Sequence, residues 1–397
     1  MENSIHSSFL KLKAYCEKQE FKGWDPYDGL NSKLFQATPF KHWSFGRLAW
    51  IQLFKRNPVN LRRLLLVPKG YNPKGLGLFL TGYCNLYRIA ETGEVAFGTK
   101  EEIREKIIWL SDKLLSLQSE GYSGACWGYN FDWQARGGLF FPAKTPNVVT
   151  TTYVVNGLLD AAQILQDEQI RETALTAGEF VLNDLTRTPK KEGFLFSYAP
   201  KFGNNTVYNA SLLGSKLLAR IFSLTGNEEY AKAARASVLA CCNEQNEDGS
   251  WYYGELSIQN WIDSFHTGFN LEAVFEYAKY TGDFSFNEHF DKGMDYYLEN
   301  FFLEDGTPKY YHDKTYPIDN HSPAQFVITL IKTGVLKQHY EEAQRVISWT
   351  LDNMQHRDGA FYYQKKKSHT NKISYMRWSQ AWMFASLSGY LKETLNN

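Results

Sequence analysis

Two kinds of helix alternate along this chain, told apart by where the apolar positions fall. In the first kind a single stripe is apolar: Ile103, Ile107, Leu110, Leu114 and Leu117 step by four and three residues, the spacing of one helix face. In the second kind nearly every face is apolar, as in TTTYVVNGLLDAAQIL from Thr150, NASLLGSKLLARIFSLTG from Asn209, HTGFNLEAVFEYAKYTG from His266, HSPAQFVITLIKTG from His321 and RWSQAWMFASLSGYL from Arg377. Such helices are buried on both sides. Three of them end in a Thr-Gly step suited to a glycine C-cap.

Between the two kinds lies a glycine followed by an aromatic cluster, repeated at Gly121, Gly193, Gly249, Gly306 and Gly359, the last four 53 to 57 residues apart. A sixth apolar helix is expected from Pro73, preceded by GWDPYDGLNS and a short helical stretch near Trp43 to Phe54. The economical arrangement is all-α, an (α/α)6 toroid of six helical hairpins forming one domain over residues 1–397, with 1–22 a helical lead-in and 23–390 the hairpins. Small residues such as Ala210, Ser211, Gly214 and Ser215 let inner helices pack closely. An open solenoid of helical pairs has the same periodicity, so the repeat alone leaves ring closure open.

A closed ring gathers the turns from outer to inner helices on one face, around the N-termini of the inner helices. These turns hold Trp127, Tyr129, Asp132, Trp133 and Arg136; then Tyr198 and Tyr208; then Trp251, Tyr253, Glu255, Trp261, Asp263 and His266. The last two hold His312, Asp313, Asp319 and His321, and Tyr375, Arg377 and Trp378. Helix N-termini add positive potential, and rings interleaved with charged groups suit a sugar or another polar ligand. Asp263 and His266, three apart at a helix entrance, read either as an acid/base pair or as an N-cap. Arg377 reads either as a bidentate clamp on a carboxylate, with Trp378 stacking beside it, or as half of a structural ion pair. Asp132 and Arg136 are spaced for a helical ion pair. Asp25 and Asp28 suit a turn, and Lys365 to Lys367 a solvated loop.

Composition narrows the partners. The chain carries 43 Lys and Arg against 43 Asp and Glu, so no net field draws nucleic acid or an anionic membrane. No phosphate loop, dinucleotide fingerprint or serine-hydrolase elbow occurs. We expect no cofactor and no metal, since the His312–His321 group lacks a recognised ligand spacing. Cys16, Cys84, Cys126, Cys241 and Cys242 are scattered and read as buried thiols. With no apolar leader and no membrane-spanning run, we expect no membrane insertion and a cytoplasmic protein. The aromatic load, 27 Phe, 25 Tyr and 11 Trp, is what a plain helical core does not explain.

The alternation resembles the six-hairpin glycosidase-like enzymes, which include glycoside hydrolases, uronyl hydrolases, sugar epimerases and polysaccharide lyases. The segments GWDPYDGLNS, NPKGLG, NWIDSFHTGFNLEA, GTPKYYHDKTYPIDNHSPAQ and YMRWSQAWM are similar to a prokaryotic family of polysaccharide biosynthesis proteins distantly related to glucuronyl C5-epimerases. The resemblance implies an oligo- or polysaccharide substrate, uronate-containing, and association with a polysaccharide assembly system. Proton removal at C5 needs a base on one sugar face and an acid on the other; Asp263, His266, His321, Tyr208 and Tyr375 are the candidates. Trp127, Asp132, Trp133, Arg136, Trp251, Tyr253, Trp261, His312, Asp313, Arg377 and Trp378 are the candidate substrate contacts. Hydrolysis by paired carboxylates, lyase chemistry and non-catalytic glycan binding are the alternatives. Gln245-x3-Gly249-x-Trp251, with a weaker echo at Gln355, also resembles the repeat of terpene cyclases, another α/α toroid, but no D-x-D-D acid motif is present.

Overall fold

The computed structural model describes residues 2–135, 138–200 and 205–395. Six inner helices carry the apolar pattern: α3 (Pro73–Ala90), α5 (Val148–Leu165), α7 (Tyr208–Thr225), α9 (Ser264–Thr281), α11 (His321–Lys332) and α13 (Ala381–Leu395). Outside them lie α1 (Glu2–Lys18), α4 (Lys100–Leu115), α6 (Glu168–Leu175), α8 (Glu228–Cys242), α10 (Asn287–Phe301) and α12 (Tyr340–Met354). Each inner helix packs on the next, and α13 packs on α3, so the ring closes. The solenoid alternative is thereby excluded. The apolar stripe of α4 faces inward, with Ile103, Ile107, Leu110 and Leu114 buried. Helix α5 is long and apolar enough to cross a membrane, and here it is a buried member of the inner ring.

One expectation changes. Residues 2–18 are more than a lead-in: α1 is the outer helix that packs against α12 and α13. The helix near Trp43, α2 (Ser44–Arg56), stands outside both rings in an excursion spanning 23–72. Its buried side, Ile51 with Phe54 and Trp50, packs on Leu30 and Phe35 in a satellite cluster.

The repeated glycines have a mechanical explanation. A Cβ at Gly193, Gly249, Gly306 or Gly359 would lie within 1.9 to 2.4 Å of a carbonyl oxygen on α8, α10, α12 or α1, respectively. Each turn therefore rests on the following outer helix, and Gly359 against Lys11 closes the outer ring. In the earlier turn the contact glycine is Gly124, against Thr176, rather than Gly121. The Gln-x3-Gly motif belongs to the same joint: Gln245 Nε2 donates to the carbonyls of Gly249 and His289, and Gln355 Nε2 to those of Gly359 and Ser8. The terpene-cyclase echo is thus an architectural device that binds turn to neighbour.

Connections from inner to outer helices are short, such as 166–167 and 226–227, whereas those from outer to inner are long and carry all the small β pairings. At the opposite end the interior is charged. Lys216 on α7 lies between Glu272 and Glu276 on α9, at 3.1 and 2.6 Å, all three side chains at most 4% exposed. Burial pushes the Glu276 carboxyl up, yet Lys216 and Lys332 hold it down at about 2.

Two predictions follow from this architecture. Gly359→Ala, which adds both positive-φ strain and a collision with Lys11, is expected to cost about 2–4 kcal/mol in urea unfolding, against about 1 kcal/mol for Gly226→Ala, where φ is +70° and the space is open. Glu276 stays ionised in the native state to lower pH than in the unfolded chain, so the stability it contributes is complete above pH 4.5 and lost as pH falls toward 2. Unfolding followed against pH should show a shallower acid limb in Glu276→Gln.

Candidate functional site

Three inner helices begin with the same device on the long-loop face. Asn72, Asn147 and Asp263 are N-caps whose side chains accept from the backbone of α3, α5 and α9. Each such cap is worth about 1 kcal/mol. Asp263 does more than cap: Oδ1 accepts from the His266 backbone N–H at 3.0 Å, while Oδ2 lies 2.7 Å from His266 Nδ1 and 3.0 Å from Trp261 Nε1. Asp263 is therefore the N-cap, and the same carboxylate also fixes the imidazole. His266 Nε2 makes no hydrogen bond to the described residues, and the side chain is 21% exposed.

His321, in the first turn of α11, is nearest on the inner side. The Phe265 ring lies between the two imidazoles, with centroids 4.3 Å from His266 and 4.3 Å from His321, the latter stacked at 7°. His321 is 1% exposed, and neither ring nitrogen has a hydrogen-bond partner among the described residues. Burial, then the positive charges of Lys74 and its neighbours, hold its pKa well below the ordinary histidine value, so the ring is neutral at physiological pH.

Lys74, in the first turn of α3, was not apparent as a site residue from the sequence. Its amine nitrogen sits 4.6 Å from the Tyr153 ring centroid and 5.1 Å from those of Phe269 and Trp382, without an ion-pair partner among the described residues. Burial, followed by repulsion from Arg377, depresses its pKa strongly. The Tyr153 hydroxyl, Trp382 Nε1 and Asn270 Oδ1 are likewise buried with no hydrogen bond. Unpaired buried polar atoms are costly, and Tyr153, Trp382 and His321 carry theirs around one ring, that of Phe269.

The rim is aromatic. Tyr253 stacks on Trp261 at 4.4 Å and flanks His266; Tyr27 lies 5.8 Å from Trp378 and 6.4 Å from Trp133, which in turn neighbours Tyr198. Trp378 Nε1 and the His321 backbone N–H both donate to Asp319 Oδ1. Burial raises the Asp319 carboxyl to about 6. A π-helical turn, Met376–Gln380, leads into α13 and carries both Arg377 and Trp378.

Several expected contacts lie elsewhere. Trp127 and Trp251 occupy equivalent positions in two repeats; both are buried, with Nε1 donating to carbonyls at the ends of α4 and α8, so they are core. The Tyr208 hydroxyl turns to Glu244 at 3.4 Å, and the Tyr375 hydroxyl accepts from Arg62 at 3.0 Å. His312 Nδ1 meets the hydroxyl of Tyr296 on an outer helix, and Asp313 is exposed beside Lys314. Asp132 accepts from the Ala143 backbone at 2.8 Å, ordering its own loop. Arg136 lies outside the described residues. Arg377 donates Nε and Nη2 to Asp25 at 2.6 and 2.9 Å, both side chains buried, which commits its fork to a carboxylate of the protein itself.

The fold has solved relatives. The chain is similar to cellobiose 2-epimerase of Bacillus thermoamylovorans (TM-score 0.63, 12% identity, covering 83% of this chain and 90% of that one). It is also similar to the unsaturated glucuronyl hydrolase of Bacillus sp. GL1 (0.61, 13%, 99% and 97%) and to a GH76 α-mannanase of Bacteroides thetaiotaomicron (0.62, 13%, 82% and 88%). These likenesses establish the six-hairpin toroid. No protein-family profile matches the chain, and no curated protein matches it in sequence.

The Asp25–Arg377 pair gives a direct test of its structural role. Removing one partner of a buried pair strands the other charge, so Arg377→Met should lower unfolding stability by about 3–5 kcal/mol, and Asp25→Asn in the same chain should restore part of it.

Proposed function

We propose that this protein is a carbohydrate-active enzyme that moves a proton on a sugar carbon next to a carbonyl or carboxylate, as an epimerase or isomerase does. The observation that carries this reading is the pair of imidazoles across Phe265: His266, anchored through Nδ1 by Asp263, and neutral His321 with both nitrogens unpaired. Two histidines in unlike environments suit opposite jobs, one giving a proton while the other takes one. Of the acid/base candidates from sequence, Tyr208 and Tyr375 drop out, because their hydroxyls meet Glu244 and Arg62.

Loss of the proton leaves an enolate-like oxygen that needs cationic or hydrogen-bonding groups already in position. Lys74, Tyr153 and Trp382 offer an amine, a hydroxyl and an indole N–H beside His321, and an anion bound there would raise the depressed Lys74 pKa and hold it protonated. An acidic sugar fits this centre, its carboxylate meeting Lys74; a uronate with exchange at C5 is the form we favour. The rim of Tyr253, Trp261, Tyr27 and Trp133 supplies ring faces for neighbouring sugar units. Related folds act on sugars by epimerisation and by hydrolysis. Hydrolysis is the second reading here, favoured by the raised Asp319 carboxyl as an acid. Against it, Asp263 and Asp319 hold protein donors on both oxygens.

Incubation with uronate oligosaccharides and with neutral reducing disaccharides in D2O distinguishes the readings. Deuterium next to the carboxylate or carbonyl, without cleavage, is the expected result, and His266→Asn or His321→Asn should each slow exchange about 10²–10⁴-fold with unfolding unchanged. New reducing ends without deuterium would instead favour hydrolysis, unsaturated products a lyase, and unaltered sugar a binding protein. Wild-type exchange in His321→Asn would remove that residue from the chemistry.

A further inference from the structure

Whole-chain neutrality conceals a strong segregation of charge. Between Asp28 and Glu91 the sequence contains ten Lys and Arg and no acidic residue. Most of this run is the excursion between α1 and α3, and its surface is also unusually apolar. Phe40 is 55% exposed, Trp43 54%, Phe45 62% and Leu64 73%.

Helix α2 explains how one short segment is apolar on two sides. Its inner side, Ile51 and Phe54, faces the satellite cluster. Phe45, Ala49, Leu53 and Arg56 follow at steps of four, four and three residues and are all exposed, so a second stripe faces outward, and none of its members is buried by the described residues. Trp43 packs against Phe45 at the start of this stripe, with ring centroids 5.0 Å apart, and Val59, Leu64 and Leu66 are exposed beyond its end. Beside Pro58 and Asn60 opens a groove of about 340 Å³ whose charged lining residues are Lys22, Lys69 and Lys372, Lys22 being paired with Glu20 at 2.8 Å.

We propose that this excursion docks the protein on an anionic lipid surface, with Trp43, Phe45 and Leu53 entering the headgroup boundary and the surrounding Lys and Arg meeting lipid phosphates. Exposed aromatic and aliphatic residues among cations, with acids excluded, match the chemistry of an interfacial amphipathic helix. A second copy of the chain fits less well, because a two-fold contact would set one predominantly cationic segment against another. The docking is in the interface plane and needs no spanning segment. It also bears on the mouth: Lys55 of α2 donates to the Tyr27 hydroxyl at 2.7 Å, and Tyr27 belongs to the aromatic rim. The inference stands independently of the sugar chemistry.

Vesicle flotation of the full chain tests it, with phosphatidylcholine vesicles alone and with added phosphatidylglycerol. Binding is expected only to the anionic vesicles, weakening as salt rises. Trp43→Ser with Phe45→Ser, and separately Arg56→Glu with Arg63→Glu, should each weaken it about tenfold or more while thermal unfolding is unchanged. Failure to bind anionic vesicles at low salt overturns the proposal, as does binding that both double variants retain. A dimer in light scattering that Trp43→Ser with Phe45→Ser dissolves, in a protein that ignores vesicles, would assign the surface to self-association instead.

Discussion

The close contact between the first and the last inner helix is the constraint on which the rest of this structure depends. Helix α3 meets α13 through residues that leave almost no space: a Cβ at Gly82 would sit 2.4 Å from the Phe384 ring, and one at Gly75 3.2 Å from the Arg377 Cα. That approach turns a row of hairpins into a ring. It also brings Lys74, from the first inner helix, over Trp382, from the last, with Tyr153 and Phe269 from two others completing the enclosure. In an open array His266 and His321 would still be neighbours, since α9 and α11 are adjacent, but the cationic floor beside them would not form.

Closure gives the interior two unlike ends. Away from the mouth, Lys216, Glu272 and Glu276 neutralise one another, Gln325 and Thr329 donate to Glu272, and Arg220 pairs with Asp160. A buried cluster whose charges are all paired, with Gln325 Oε1 left over, is a structural core made from polar parts. Toward the mouth, the polar atoms of His321, Tyr153, Trp382 and Asn270 are equally buried and unsatisfied. The contrast is one of charge: the first group pairs its ions, whereas the second leaves Lys74 beside neutral rings.

Much of the architecture could be read directly from residue spacing, because it is periodic. Apolar spacing marked the inner helices, and the recurring glycines marked the turns that rest on the next outer helix. The site was only partly legible. Asp263 and His266 could be found because a helix entrance fixes their relation within three residues. Trp127 and Trp251 were misread as ligand contacts because an irregular turn has no period, and the same aromatic turn residue can point inward to the core or outward to the rim. Arg377 was ambiguous because its partner, Asp25, lies in another hairpin. Lys74 left one signal, a lone cation in the otherwise apolar PKGLGLFLTG, which an uncharged helix face would not retain without a use. The neutral total charge hid the acid-free excursion, since a sum carries no position.

The Asp25–Arg377 pair also dictates when the mouth can exist. Its partners are 352 residues apart, and Arg62 reaches Tyr375 across 313. A chain emerging from the ribosome can stack its middle hairpins as each is made, because their contacts are local. The first long loop can fasten early to the next turn, where Asn31 and Asn72 meet Asn130 and Arg47 meets Gln134, but its Asp25 and Arg62 contacts wait for the last hairpin, so ring closure and the Tyr27–Trp378 side of the rim arrive as a late step. Incomplete chains therefore display the apolar inner faces of α3 and the excursion without their covering, which makes the interval before closure the period when the nascent protein most needs shielding from aggregation.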